Sequence, residues 1–183
     1  MAILYDMSTF VFPLLLIYVF IRLFYIRKAK INFMRELFLT SFYIYLFSLI
    51  FIVWIRGSGH NEQLQYNFIP LKTIIDYIGF NSKFIALQNI IGNILITLPL
   101  GFYAVFIFRP FKDIKAIVCF FIFSVTIELG QYLLFKLGLG SRSVDIDDVI
   151  LNTTGSAAGY YIAKILSLRL NTAGYLNNSR KGL

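Results

Sequence analysis

The sequence predicts an all-α integral membrane protein of about five transmembrane helices. Three observations predict it: the apolar content, the length of the apolar runs, and where the basic residues fall. Of 183 residues, 58% are hydrophobic and 14% are charged, against roughly 45–50% and about 25% in a soluble domain. A soluble domain of this size would still expose about a third of its unfolded surface, so the surplus has no core to enter. A soluble enzyme, a secreted disulfide scaffold and a disordered tail are excluded. The lone cysteine, Cys119, permits no intramolecular disulfide and no cysteine-built zinc site, and His60 has no second His or Cys near it in sequence.

Crossing a bilayer takes about 17–25 apolar residues. Five runs qualify: residues 10–26, 37–55, 90–108, 114–137 and 149–168. No Lys or Arg precedes the first, and Arg27-Lys28-Ala29-Lys30 follows it in place of a small-residue cleavage site. It therefore reads as a retained span and not as a signal peptide. Gly92, Asn93, Thr97, Pro99 and Gly101 interrupt the third span, which is expected to be kinked or re-entrant, because broken helices at membrane depth must be buried in protein or line a wet cavity. Residues 56–88 are too long for a plain connector. Their Ile74, Ile75, Tyr77, Ile78, Phe80, Phe84 and Ile85, set among polar residues, suit a segment lying on the outer interface. The whole chain, 1–183, is expected to form a single membrane domain, with a generic first span at 10–26 and a short tail at 169–183.

The net charge is +8, but placement says more than the sum. Arg27, Lys28, Lys30, Arg35, Arg109, Lys112, Lys115, Arg169, Arg180 and Lys181 would share one side of five crossings. Arg56, Lys72, Lys83, Lys136 and Arg142 would share the other. The richer side is cytoplasmic, which puts the N-terminus outside and the C-terminus inside. Basicity thus reflects topology, and no nucleic-acid partner is expected.

Polar residues within the spans are the informative ones, since an ionisable group at the bilayer centre costs about 2.5–3.5 kcal/mol and usually faces the bundle interior with a partner. Ser124, Glu128 and Gln131 share one helical stripe. Asn89 and Asn93 lie one turn apart, and Asn93 could cap a half-helix or hydrogen-bond across to Glu128. If the fifth helix has already begun at Asp145, then Asp145, Asp148, Asn152, Gly155 and Gly159 share an arc, with Arg142 at its edge. Asp147 would point to the far side, into solvent. The Gly155-xxx-Gly159 spacing favours close helix packing. Together these groups outline an outward-opening polar cavity, with Asn93, Glu128, Gln131, Arg142, Asp145, Asp148 and Asn152 as its candidate binding residues. No cofactor is required by the sequence. A divalent cation could sit at Asp145 and Asp148.

The stretches Tyr66-Asn67-Phe68-Ile69-Pro70-Leu71-Lys72-Thr73-Ile74, Asn89-Ile90-Ile91-Gly92-Asn93 and Leu98-Pro99-Leu100-Gly101 resemble the VanZ-like family. So do Ser124-xxx-Glu128-xx-Gln131 and Arg142-xx-Asp145-xx-Asp148-xxx-Asn152-xx-Gly155-xxx-Gly159. The resemblance runs over about residues 35–168, and it departs at Leu71, where the family more often has Phe. It implies a multi-pass protein of the bacterial plasma membrane. The family takes its name from a member associated with resistance to teicoplanin, an acylated glycopeptide antibiotic. No catalytic residues carry over.

Three readings compete. In the first, the cavity binds an envelope lipid or a lipoglycopeptide without catalysis, Arg142 gripping a phosphate or carboxylate in its planar fork. In the second, two differently situated carboxylates divide acid and base roles on a lipid-linked envelope precursor at the outer leaflet. In the third, the protein is a flippase for such a precursor, which at this size would call for a homo-oligomer. The first reading is preferred.

Overall fold

The structure, a computed structural model, describes residues 2–26, 33–55, 66–79, 83–107, 112–139 and 144–172. The chain divides into two compact units, Met1–Arg56 and Gly57–Leu183.

The first unit is a helix pair. Helix α1 (Ala2–Ile26) packs on α2 (Phe33–Ile50), which ends in a π-helical turn at Phe51–Ile55. Val11, Leu49, Phe51 and Val53 are buried, whereas Leu16, Phe20, Leu23 and Phe24 are exposed. Arg22 is a charge inside an apolar helix, and it has its partner. Its Nε and Nη2 donate to Glu36 Oε2 and Oε1 at 2.7 and 2.6 Å, a two-pronged bond that suits a guanidinium.

The second unit runs β1 (Tyr66–Asn67), α3 (Lys72–Gly79), α4 (Lys83–Ile107), α5 (Asp113–Lys136), β2 (Val144–Asp145) and α6 (Ile146–Thr172). Helix α6 is its axis and packs on both α4 and α5. The α4–α6 contact is a main-chain one. A Cβ at Gly101 would press on the Ser156 carbonyl group, one at Gly155 on the Ile94 carbonyl, and one at Gly159 on the Leu98 carbonyl. Small residues let two helices approach this closely. Below that contact Ala116, Phe120 and Tyr160 form a core lined by Leu100, Ala104 and Val105. Lys164 Nζ closes the far end by donating to Asp113 Oδ1 at 2.5 Å, joined by Tyr160 Oη at 3.2 Å.

The protein is an all-α membrane protein. Among the described residues four helical stretches are long and apolar enough to cross a bilayer: Asp6–Phe24, Phe33–Ile55, Leu87–Ile107 and Asp113–Lys136. Helix α6 is longer, at 27 residues, but Asn152, Thr153, Thr154, Ser156 and two glycines dilute its apolar share. Asn152 and Ser156 are buried, while Ile162, Ile165 and Leu166 are exposed. The expected fifth span is therefore a helix whose polar groups are covered by its neighbours.

One expectation needs correcting. The third span is not re-entrant: α4 continues through Gly92, Pro99 and Gly101 for 25 residues without a break, about 37 Å at the usual rise. Its Gly101 serves close packing on α6, and its Thr97 hydroxyl folds back on the Asn93 carbonyl at 2.9 Å.

Candidate functional site

The site forms where α6 begins. Asp145 is the cap of that helix: its Oδ1 accepts the backbone N–H of Asp147 at 2.9 Å, one of the first N–H groups that a helix cannot satisfy itself. Asp145 also lies opposite Asn67 in a two-residue parallel ladder, with Tyr66 opposite Val144. Asn67 Nδ2 donates to Asp145 Oδ1 at 3.1 Å and to Thr73 Oγ1 at 2.9 Å. Asn67 Oδ1 accepts from the backbone N–H of Ile69 at 3.0 Å, the local turn that asparagine favours.

Asp147 does the same work for a different helix. Its Oδ1 accepts the Leu71 N–H at 2.5 Å and its Oδ2 the Ile74 N–H at 3.2 Å. It thus caps α3 from across the fold, where a carboxylate also meets the positive end of the helix dipole. The clasp holds Leu71 at φ 66°, a left-handed conformation that costs a non-glycine residue roughly 1–2 kcal/mol. A hydrogen bond to a charged group contributes about 1.5–3 kcal/mol, enough to offset it.

Two further links tie in the long helices. Glu128 Oε2 accepts the Asp145 N–H at 3.1 Å, fixing β2 to α5. Asn93 Nδ2 donates to Asp148 Oδ1, fixing α4 to α6. Deeper, Thr153 Oγ1 donates to Ser124 Oγ at 3.2 Å. Ser124, Glu128 and Gln131 are all buried, as their shared stripe predicts. Asn152 is 4% exposed, and its Oδ1 is buried with no hydrogen-bond partner among the described residues. An unsatisfied buried acceptor costs about 1–3 kcal/mol.

Of the sequence-predicted residues, Asn93, Glu128, Asp145 and Asp148 are therefore linked around the start of α6, and Gln131 and Asn152 are buried on α5 and α6. Arg142 lies outside the described residues. Three details differ from expectation. Asn93 reaches Asp148 and not Glu128. Asp145 precedes the helix, so the α6 arc starts at Asp148. Asp147 is not solvated: it is 1% exposed, because residues 66–74 lie over it.

Asp145 Oδ1 already receives two N–H donors. Among the described residues no group of three or more His, Cys, Asp or Glu side chains is placed to hold a metal ion.

The VanZ/LLP1 family profile matches residues 37–167. The chain belongs to the VanZ/LLP1 family. No curated protein and no solved structure matches it. The VanZ/LLP1 region starts inside α2 and contains every residue of the site, leaving α1 outside it. Sequence reasoning missed Asn67 and Asp147 as site residues. The available signal was Pro70, two residues before a helix start whose N–H groups need an acceptor, together with the acidic run at 145–148.

Proposed function

We infer that this VanZ/LLP1 protein lowers the susceptibility of a bacterial envelope to lipoglycopeptides such as teicoplanin. It does so by engaging an envelope lipid or the glycopeptide at the polar cluster of Asn93, Asp148 and Asn152. The observation that carries the reading is the buried, unpaired Asn152 Oδ1 one turn below Asp148. Buried polar groups are almost always satisfied, so an orphan acceptor beside a carboxylate–amide pair suits a ligand that donates an N–H or O–H. Sugar hydroxyls and peptide amides both do. The enzyme reading, which gives the acid and base roles to Glu128 and Asp148, is weaker because each accepts an N–H, from Asp145 and from Asn93. The charge asymmetry supports a cytoplasmic C-terminus, which would turn the start of α6 outward. A C-terminal reporter active only in the cytoplasm checks that orientation.

The test is teicoplanin and vancomycin susceptibility in a sensitive Gram-positive host at matched membrane levels. Wild type should protect against teicoplanin more than against vancomycin. Asn152→Leu, Asp148→Asn, Glu128→Gln and Arg142→Ala should each lose most of that protection. No protection by wild type refutes the resistance reading, and full protection by all four variants refutes the site.

A further inference from the structure

Residues 66–75 turn polar groups inward and apolar groups outward. The N–H groups of Ile69, Leu71 and Ile74 go to Asn67 Oδ1 and the Asp147 carboxylate. Those of Lys72 and Ile75 go to the Ile69 and Leu71 carbonyls, and Pro70 has none to place. Outward stand Tyr66, Phe68, Ile69, Leu71 and Ile75, each between 51% and 70% exposed. A loop facing water has no need of this arrangement. Irregular backbone facing hydrocarbon does, because there each polar group must find its partner within the protein.

Two observations say what covers these side chains. Leu71 holds φ 66°, where glycine would sit without strain. Its side chain is 51% exposed, so a leucine in place of glycine here turns an isobutyl group outward to whatever surrounds the segment. The segment also leads through α3, which packs on α4. Phe84, Leu87, Ile91 and Leu95 carry exposed apolar surface along α4, whose residues Leu87–Ile107 are long and apolar enough to cross a bilayer.

We propose that residues 66–75 are seated in the lipid bilayer. Phe68, Ile69 and Leu71 lie among the upper acyl chains, and Asn67, Asp145 and Asp147 hold the backbone in the shape that allows it. Exposed Lys72 reaches the phosphate level, as long basic side chains do at an interface. Composition alone suggested an interfacial segment; the hydrogen bonds name the side chains that enter. The inference does not rest on the antibiotic reading.

Fluorescence of a single tryptophan tests it. In a chain carrying Trp54→Phe, one of Phe68→Trp, Leu71→Trp or Asp76→Trp is introduced. Each protein is reconstituted in phosphatidylcholine vesicles brominated high on the acyl chain. Phe68→Trp and Leu71→Trp should be quenched several-fold more by the brominated lipid than Asp76→Trp, with blue-shifted emission and several-fold less quenching by aqueous acrylamide. Acrylamide access equal to that of Asp76→Trp overturns the proposal. So does shielding from both quenchers that grows with the protein-to-lipid ratio, which would show a second copy covering the segment. Phe68 is 70% exposed and its ring contact is with the similarly exposed Tyr66, so an aromatic replacement disturbs little packing and the test survives a poorly folding Leu71 variant.

Discussion

Replacing Gly101 by alanine places a methyl group where α6 already lies. That Cβ would sit 2.7 Å from the Ser156 carbonyl carbon and 2.7 Å from the Tyr160 backbone nitrogen, and closer still to the Ser156 oxygen. Non-bonded heavy atoms settle at about 3.5–4.0 Å, so α4 and α6 must part by about 1.5–2 Å to clear the Ser156 oxygen. No side-chain rotation can relieve the clash, because the atoms in the way are main chain. Overpacking typically costs 1–3 kcal/mol. Separation also lengthens the bond from Ser156 Oγ to the Thr97 carbonyl, already 3.3 Å, and a lost bond adds about 1 kcal/mol. Gly101→Ala should therefore lose about 3 kcal/mol. Gly92→Ala is the control, since it lies in the same helix with nothing within 4 Å of its Cβ. It should be neutral or gain about 0.5–1 kcal/mol from the lost glycine. Thermal unfolding of purified protein in detergent, followed by circular dichroism, reads both. Wild-type stability in Gly101→Ala, or an equal fall in Gly92→Ala, would refute the close main-chain contact.

Asp147→Ala leaves the Leu71 and Ile74 N–H groups without their acceptor and should cost about 1–3 kcal/mol, seen as faster proteolysis within residues 66–79 in detergent. Asn152→Leu removes an unsatisfied acceptor, so it should leave stability within about 1 kcal/mol of wild type or raise it, while the susceptibility assay shows lost protection; a fall in both would make Asn152 structural. Arg22→Lys keeps the charge but not the fork to Glu36, and it should destabilise the first unit more than Lys164→Arg does the second. In double-mutant cycles Arg22–Glu36 should couple more strongly than Lys164–Asp113, whose side chains are 42% and 43% exposed and better screened.

The membrane class, the long helices and the Ser124–Glu128–Gln131 stripe were legible because they depend on local periodicity. The Gly155–Gly159 packing was legible for the same reason, but its partner Gly101 was not: a glycine beside a proline also reads as a break. Of the two alternatives for α4, kinked or re-entrant, the re-entrant one fails. Gly and Pro weaken an isolated helix, yet α4 is held continuous along its length by its packing on α6. Asp147 was misplaced because helical geometry alone sends it away from Asp148, and only the tertiary return of residues 66–74 gives that direction something to bind. Arg22 and Glu36 escaped notice because they are separated by a basic connection that also reads as plain topology signal.

The three aspartates at the start of α6 divide their work. Asp145 caps α6 and holds β1, Asp147 caps α3, and Asp148 reaches α4 through Asn93. Glu128 adds α5 to the same point. A run of acidic residues that resembles a catalytic or metal-binding cluster is thus largely a junction of β1, α3, α4, α5 and α6. Scaffold and candidate site separate at Asp148. Toward β1 the acceptor is matched by the Asn67 side-chain amide, and toward α3 by backbone N–H groups. Toward the core an amide pair is followed by an acceptor, Asn152 Oδ1, with no donor. If the junction served stability alone, an apolar residue at 152 would serve better, because it would fill the space without leaving an acceptor dry. Replacing this asparagine separates a binding role from a packing role: a binding role requires protection to fall while stability holds or rises.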